Sequence, residues 1–122
     1  MNQGAFIKNI AEFLWVQPDA GHENGAYSKM LVSPDDSAAK HVDYRISCYQ
    51  PKAHVAPHRH EIQEQIYHVL EGEGLMEIDG ERRVVRQHDV VFIPPRTEHA
   101  LYNTGLRDLI FIVVTTPARD RM

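Results

Sequence analysis

His58-Arg59-His60, followed by Glu64-Gln65-Ile66-Tyr67-His68-Val69-Leu70 and by Gly72, is the stretch whose reading decides the fold. Two imidazoles at i and i+2 lie on one face of an extended strand, where their ring nitrogens can converge on a single ion. Pro57 stiffens the approach to them. Glu64 and Gln65 add oxygen donors at the start of the next strand. The period of two then separates Gln65, Tyr67 and Val69 from Ile66 and His68. An HxH pair alone is a weak metal signal. Its weight depends on what surrounds it.

Working outward, the chain reads as continuous β from Val42 on. Tyr44, Ile46 and Cys48 alternate with Asp43, Arg45 and Ser47, the pattern of a strand with one buried face. Asp79-Gly80 sits between Leu75–Ile78 and Arg82–Arg86 and predicts a tight hairpin, because both turn positions need positive φ. The run from His88 to His99, with Pro94-Pro95 in its middle, reads as strand, tight turn, strand. It brings a third imidazole, His99, from a later strand. About eight short strands with turn punctuation and no long helix argue for a sandwich or closed barrel over βαβ units. Upstream, Ile7, Ile10 and Leu14 carry helical spacing, while Phe13-Leu14-Trp15-Val16 could equally open a strand. We treat residues 1–25 as an N-terminal arm, 26–117 as the barrel and 118–122 as a tail.

Composition bounds the function. The chain has 122 residues, 43% of them hydrophobic and 25% charged, which suits one domain with a continuous core. A net charge of −4 disfavours nucleic acid, since replacing phosphate counterions needs a basic excess. Leu109 to Val114 is the longest apolar candidate and is strand-sized, so no membrane span is expected. Cys48 is alone, and the N-terminus lacks a basic segment followed by an apolar signal core, so a cytoplasmic protein is the expectation.

With these residues in place, the chain resembles a cupin. The first family motif is Gly, five residues, His-x-His, three or four residues, Glu, six residues, Gly. Here it reads Lys52, His58-Arg59-His60, Glu64-Gln65 and Gly72. The second is Gly, five residues, Pro-x-Gly, two residues, His, three residues, Asn. Here it reads His88, Pro94-Pro95-Arg96, His99 and Asn103. Three family glycines are thus replaced, by Lys52, His88 and Arg96. The resemblance implies an all-β, cupin-type double-stranded β-helix (a jelly-roll barrel) holding one divalent transition metal ion, of which Fe, Mn, Ni and Zn fit imidazole donors best. The implied ligands are His58, His60, His99 and a fourth side chain. Counting back from Gly72 places that side chain at Gln65, with Tyr67 and Val69 also inside. The three-residue spacing keeps Glu64 as the alternative. With Gln65 the site would carry +2, against +1 with a carboxylate.

The resemblance leaves the reaction open, since cupins include dioxygenases, isomerases, lyases and simple binders. We expect an enzyme acting on a small organic substrate (carbonyl, carboxylate or sugar-derived) by oxygenase or lyase/isomerase chemistry. The alternative is a non-catalytic binding or sensory cupin. A structural metal is disfavoured, because one Gln among four ligands makes a poor closed site. If the Arg45, Ser47 and Tyr49 face points inward, Arg45 could clamp a substrate carboxylate and Tyr49 could donate a proton. Tyr67 and Phe111 complete the substrate-binding candidates. Val113 stands where similar uronate-processing cupins carry an Asp, so that chemistry does not transfer. His22 and His41 lie in loop-like text and read as solvated, and His54 shares parity with His58 but reads as a surface His. The family resemblance and the two-sided hydrophobicity of Leu109 to Val114 point to a homodimer.

Overall fold

A computed structural model describes residues 4–18 and 21–121. Among the described residues, ten strands follow a short 3-10 turn at Ile10–Glu12: β1 His22–Glu23, β2 Ala26–Val32, β3 Asp43–Tyr49, β4 His54–His58, β5 Glu64–Glu71, β6 Glu73–Ile78, β7 Glu81–Arg86, β8 Val90–Ile93, β9 His99–Tyr102 and β10 Leu109–Thr116. They form two five-stranded antiparallel sheets, ordered β1-β4-β9-β6-β7 and β2-β3-β10-β5-β8. The fold is the cupin-type double-stranded β-helix that the motifs imply.

The described part of the N-terminal arm holds the 3-10 turn, a bridge between Val16 and Ser28, and the short β1. Asn9 accepts from the Ala11 N–H, and the Glu12 carboxylate returns to the Asn9 N–H, which closes a capping box on one turn. The helical spacing goes no further, because the next residues take extended φ, ψ. Lys29 anchors the arm by donating to the Ile10 carbonyl at 3.0 Å, with its ammonium 5.0 Å from the Trp15 ring centre.

Turn chemistry sets the register. Asp79 and Gly80 have φ of 49° and 82°, and Ile78 pairs with Glu81 across the hairpin, as the dipeptide demands. The three positions that lost the family's glycines keep left-handed backbone: Lys52 at 75°, His88 at 77° and Arg96 at 61°. The turns have therefore survived at the expense of local strain. Gly72 could not be replaced so easily, because a Cβ there would collide with the Asp108 carbonyl oxygen.

The core lies between the sheets, on Tyr49, Val69, Met76, Ile93, Leu101, Leu109 and Phe111, each at most 2% exposed. Along β10 the inward residues Leu109, Phe111, Val113 and Thr115 are buried, whereas Ile110, Ile112 and Val114 are half-buried on the outer face. On β3 the polar face, Asp43, Arg45 and Ser47, turns inward, and Tyr44 lies exposed outside. Polar residues can point inward here because Asp43, Arg45 and Ser47 line a cavity rather than the apolar core. No helix among the described residues is long and apolar enough to cross a membrane.

Candidate metal centre

Three strands and one loop bring the implied ligands together. On β4, Val55 pairs with Leu101 and His58 with His99, so one extra residue is inserted between them. This bulge re-aims the strand. Val55 and His58 both face inward, and His58 stands directly across from His99 on β9. His60 follows just beyond the strand end. Gln65 reaches in from β5, in the opposite sheet. One ring nitrogen of each of His58, His60 and His99 lies within 4.8 Å of the others, close to the span that bonds of about 2 Å to a common ion can bridge. Glu64 is exposed, and the Gln65 Oε1 instead lies 2.9 Å from His99 Nε2.

The hydrogen bonds around these side chains favour a cation. His58 Nδ1 and His99 Nδ1 donate to the Ala56 and Thr97 carbonyls at 2.8 and 2.9 Å, which leaves each Nε2 as a lone-pair donor. The Gln65 amide N–H donates to Thr115 Oγ1 at 3.0 Å, and the Tyr67 hydroxyl points at its oxygen from 3.5 Å. With the His99 tautomer fixed by the Thr97 carbonyl and the Gln65 amide turned with its nitrogen on Thr115, His99 Nε2 and Gln65 Oε1 present two lone pairs to each other. His60 Nε2 is buried with no hydrogen-bond partner. An unsatisfied buried nitrogen and two opposed acceptors are what a site shaped for a positive ion leaves behind. Burial, reinforced by the neighbouring imidazoles, holds His60 below its ordinary value and lowers His99 to about 4. Both rings are therefore neutral at pH 7, the form that can ligate.

Beside the imidazoles opens a cavity of about 340 Å³. Arg45, Tyr49, Tyr67 and Phe111 all line it, as do His58, His60 and Gln65. Arg45 is not free to clamp a ligand from both sides. Its Nε and Nη2 already donate to the two Asp43 carboxylate oxygens at 2.7 and 2.9 Å. That ion pair raises the guanidinium further. Tyr49 and Tyr67 are raised as well, by burial first, so both remain hydroxyl donors. Phe111 packs edge-on to Tyr49 and stacked on Tyr67, with centroids 4.9 and 5.7 Å apart. Val113, also on the wall, supplies no proton.

Residues 45–115 match the model of the cupin domain family. The chain belongs to the cupins. Two curated relatives match over shorter segments. An uncharacterized protein of Methanocaldococcus jannaschii is 46% identical over 48 residues, covering 39% of this chain and 38% of that one. An oxalate-binding protein of Thermotoga maritima is 36% identical over 64 residues, 52% of this chain and 53% of that one. The matches thus span about half or less of those relatives. In fold, the cupin superposes on a predicted oxalate decarboxylase from Thermotoga maritima with a TM-score of 0.81 and 24% identity, over 92% of this chain and 99% of the other.

Some residues of this cupin sit where sequence reasoning did not place them. His22, expected in a solvated loop, belongs to β1. It pairs with the inward Val55, so its side chain enters the cavity and meets the Tyr49 ring edge-on at 6.3 Å. A two-residue strand carries too little periodicity to be recognised from sequence. His54 is the surface His that was expected, although the parity it shares with His58 in the sequence does not hold. The β4 bulge turns it outward, where it lies 3.6 Å from the Glu23 carboxylate and stacks on Tyr102. Asp43, Thr115 and a Ser28–Ser47 hydroxyl pair 2.7 Å apart also line the cavity. Alternation did group Asp43 and Ser47 with Arg45, and only the direction of that face was missing.

Proposed function

We propose that this cupin is a metal-dependent enzyme acting on a small organic acid, at a centre made by His58, His60, His99 and Gln65. The observation that carries this reading is the opening of that donor set into a cavity with a polar wall. A divalent ion held there would supply Lewis acidity toward a substrate oxygen, strengthened by the absence of an anionic ligand. The chain's own residues would do the rest. The Arg45–Asp43 pair presents the remaining guanidinium N–H edge as one anchor for a carboxylate, while Tyr49 and Tyr67 donate hydrogen bonds to substrate oxygens. Phe111, Val55 and Val113 cover the apolar part of the substrate and keep water away.

The oxalate-binding relative supports an acid as the ligand. The cavity, however, holds the equivalent of about ten waters at roughly 30 Å³ each, more room than oxalate fills. A longer oxo- or hydroxy-acid fits better. Non-catalytic binding is the second reading, favoured by one observation: the acid on the cavity wall, Asp43, is tied up by Arg45. The test is elemental analysis of protein purified without added metal, followed by oxygen uptake and turnover assays on a panel of such acids. Iron with oxygen uptake supports oxygenation, and zinc, manganese or nickel with anaerobic turnover supports lyase or isomerase chemistry. Saturable acid binding without turnover would leave the binding reading.

A second copy of the chain is the proposed partner. Ile66, Val90 and Phe92 are 42%, 62% and 54% exposed on the outer face of the β2-β3-β10-β5-β8 sheet, beside the half-covered Ile110, Ile112 and Val114. A contiguous apolar sheet face of this kind is stabilised by covering it.

A further inference from the structure

The loop between β4 and β5 delivers His60 to the metal centre without a ladder of its own. Its strand neighbours end at His58 and resume at Glu64. Three consecutive backbone N–H groups, those of Glu61, Ile62 and Gln63, converge on one carboxylate from the far end of the chain. The Asp120 oxygens accept from Glu61 at 2.9 and 3.0 Å, from Ile62 at 2.8 Å and from Gln63 at 3.3 Å. A nest of successive N–H groups is a good anion site, and here the protein's own tail fills it. The tail makes further contacts on either side. Gln63 Nε2 donates to the Pro117 carbonyl at 3.1 Å, Ala118 lines the cavity, and Arg119 pairs with Asp35 at 2.9 Å.

The three imidazoles differ in how they are held. His58 and His99 each have a ring N–H fastened to a backbone carbonyl of their own strand region. Among the described residues His60 makes no such backbone bond, and its Nε2 has no partner. Its ring therefore depends on where its loop sits. The main-chain link on its other side is the Arg96 N–H donating to the His60 carbonyl at 2.7 Å, from a turn residue with left-handed backbone.

We infer that Asp120 is a positioning residue for the metal centre: by occupying the N–H nest of residues 61–63, it holds the β4–β5 loop so that His60 completes the ligand set. The inference rests on the metal-centre reading above.

Cobalt(II) serves as the probe, because its visible absorption reports ligand number and its affinity can be titrated. Asp120→Ala should weaken cobalt binding about tenfold, the lower range for outer partners of metal ligands, and should shift the spectrum in the direction of His60→Ala. Asp120→Asn keeps an accepting oxygen without charge and should fall between, which also supplies a folded variant should the alanine form prove unstable. The decisive comparison is a double-mutant cycle. Asp120→Ala should lower affinity in wild type and in a His58→Ala background, but not in a His60→Ala background. Arg119→Ala, which cuts only the exposed Asp35 pair, should leave affinity unchanged. An equal loss in the His60→Ala background, or no loss anywhere, would overturn the inference while leaving the metal centre intact. Absence of cobalt binding in the wild type would sink the metal centre itself.

Discussion

At the residue scale, a few side chains have surroundings that leave them one role. Gln65 is the sharpest case. Its amide N–H donates to Thr115, and its oxygen faces His99. Gln65→Ala should lower metal affinity by tenfold or more, whereas Gln65→Glu should retain the ion and slow any reaction that needs a strong Lewis acid; metal titration and turnover rate separate the two effects. Cys48 gives a prediction away from the site. Burial, with Asp108 and Glu71 nearby, raises its thiol to about 11. A raised pKa means a smaller thiolate fraction at pH 8, so alkylation there should be slower than for an ordinary cysteine and should keep accelerating up to about pH 11. A rate already at its plateau by pH 9 would contradict this environment. The meeting of the three imidazoles was readable from the two family motifs, and the inward side of Gln65 from its distance to Gly72 within the first of them. Asp43 and Asp120 were not, because one depends on which way a mixed face turns and the other on a contact between opposite ends of the chain.

At the element scale, the bulge in β4 and the left-handed turns do most to shape the site. Regular alternation would have put His54 on the His58 side. One extra residue between Val55 and His58 sends His54 to the surface and sets His58 opposite His99. Sequence pattern cannot show this, since a bulge breaks the period of two on which parity arguments rest. Hairpins were more legible, because Asp79-Gly80 names its own turn. The non-glycine turns carry a testable cost. His88 is exposed with φ at 77°, and its backbone bond to Val69 does not involve the side chain. His88→Gly should relieve roughly 1–2 kcal/mol of left-handed strain and lose roughly 0.5–1 kcal/mol to greater unfolded-state freedom. The net gain, about 1 kcal/mol or a little less, should appear as a higher denaturant midpoint with an unchanged slope. A lower midpoint would show that the turn is not strained.

At the scale of the whole molecule, two sheets enclose an apolar core and a polar cavity beside the side chains that could hold a metal. Composition, strand count and the two motifs were enough to place the chain in this architecture, because the jelly-roll barrel is set by turn residues and alternation spread over the whole chain. The outer apolar face was only half visible: hydrophobicity on both sides of β10 indicated extra burial, and the structure shows Leu109, Phe111 and Val113 taking the core while Ile110, Ile112 and Val114 remain half-covered. If a second copy covers that face, Phe92→Lys with Val90→Lys should yield a monomer in sedimentation at micromolar concentration, with metal content preserved. A wild-type monomer under the same conditions would remove this surface from the account.

The most direct measurement is the stoichiometry of metal in the purified chain, set against single alanine variants at residues 58, 60 and 99. We expect one equivalent of a divalent transition metal in the wild type, removable by a chelator, restored on addition, and lost or severely weakened in each variant. A wild type that takes up no such ion, or a His99→Ala protein that holds its full equivalent as tightly as before, would contradict the claim that these rings share one ion.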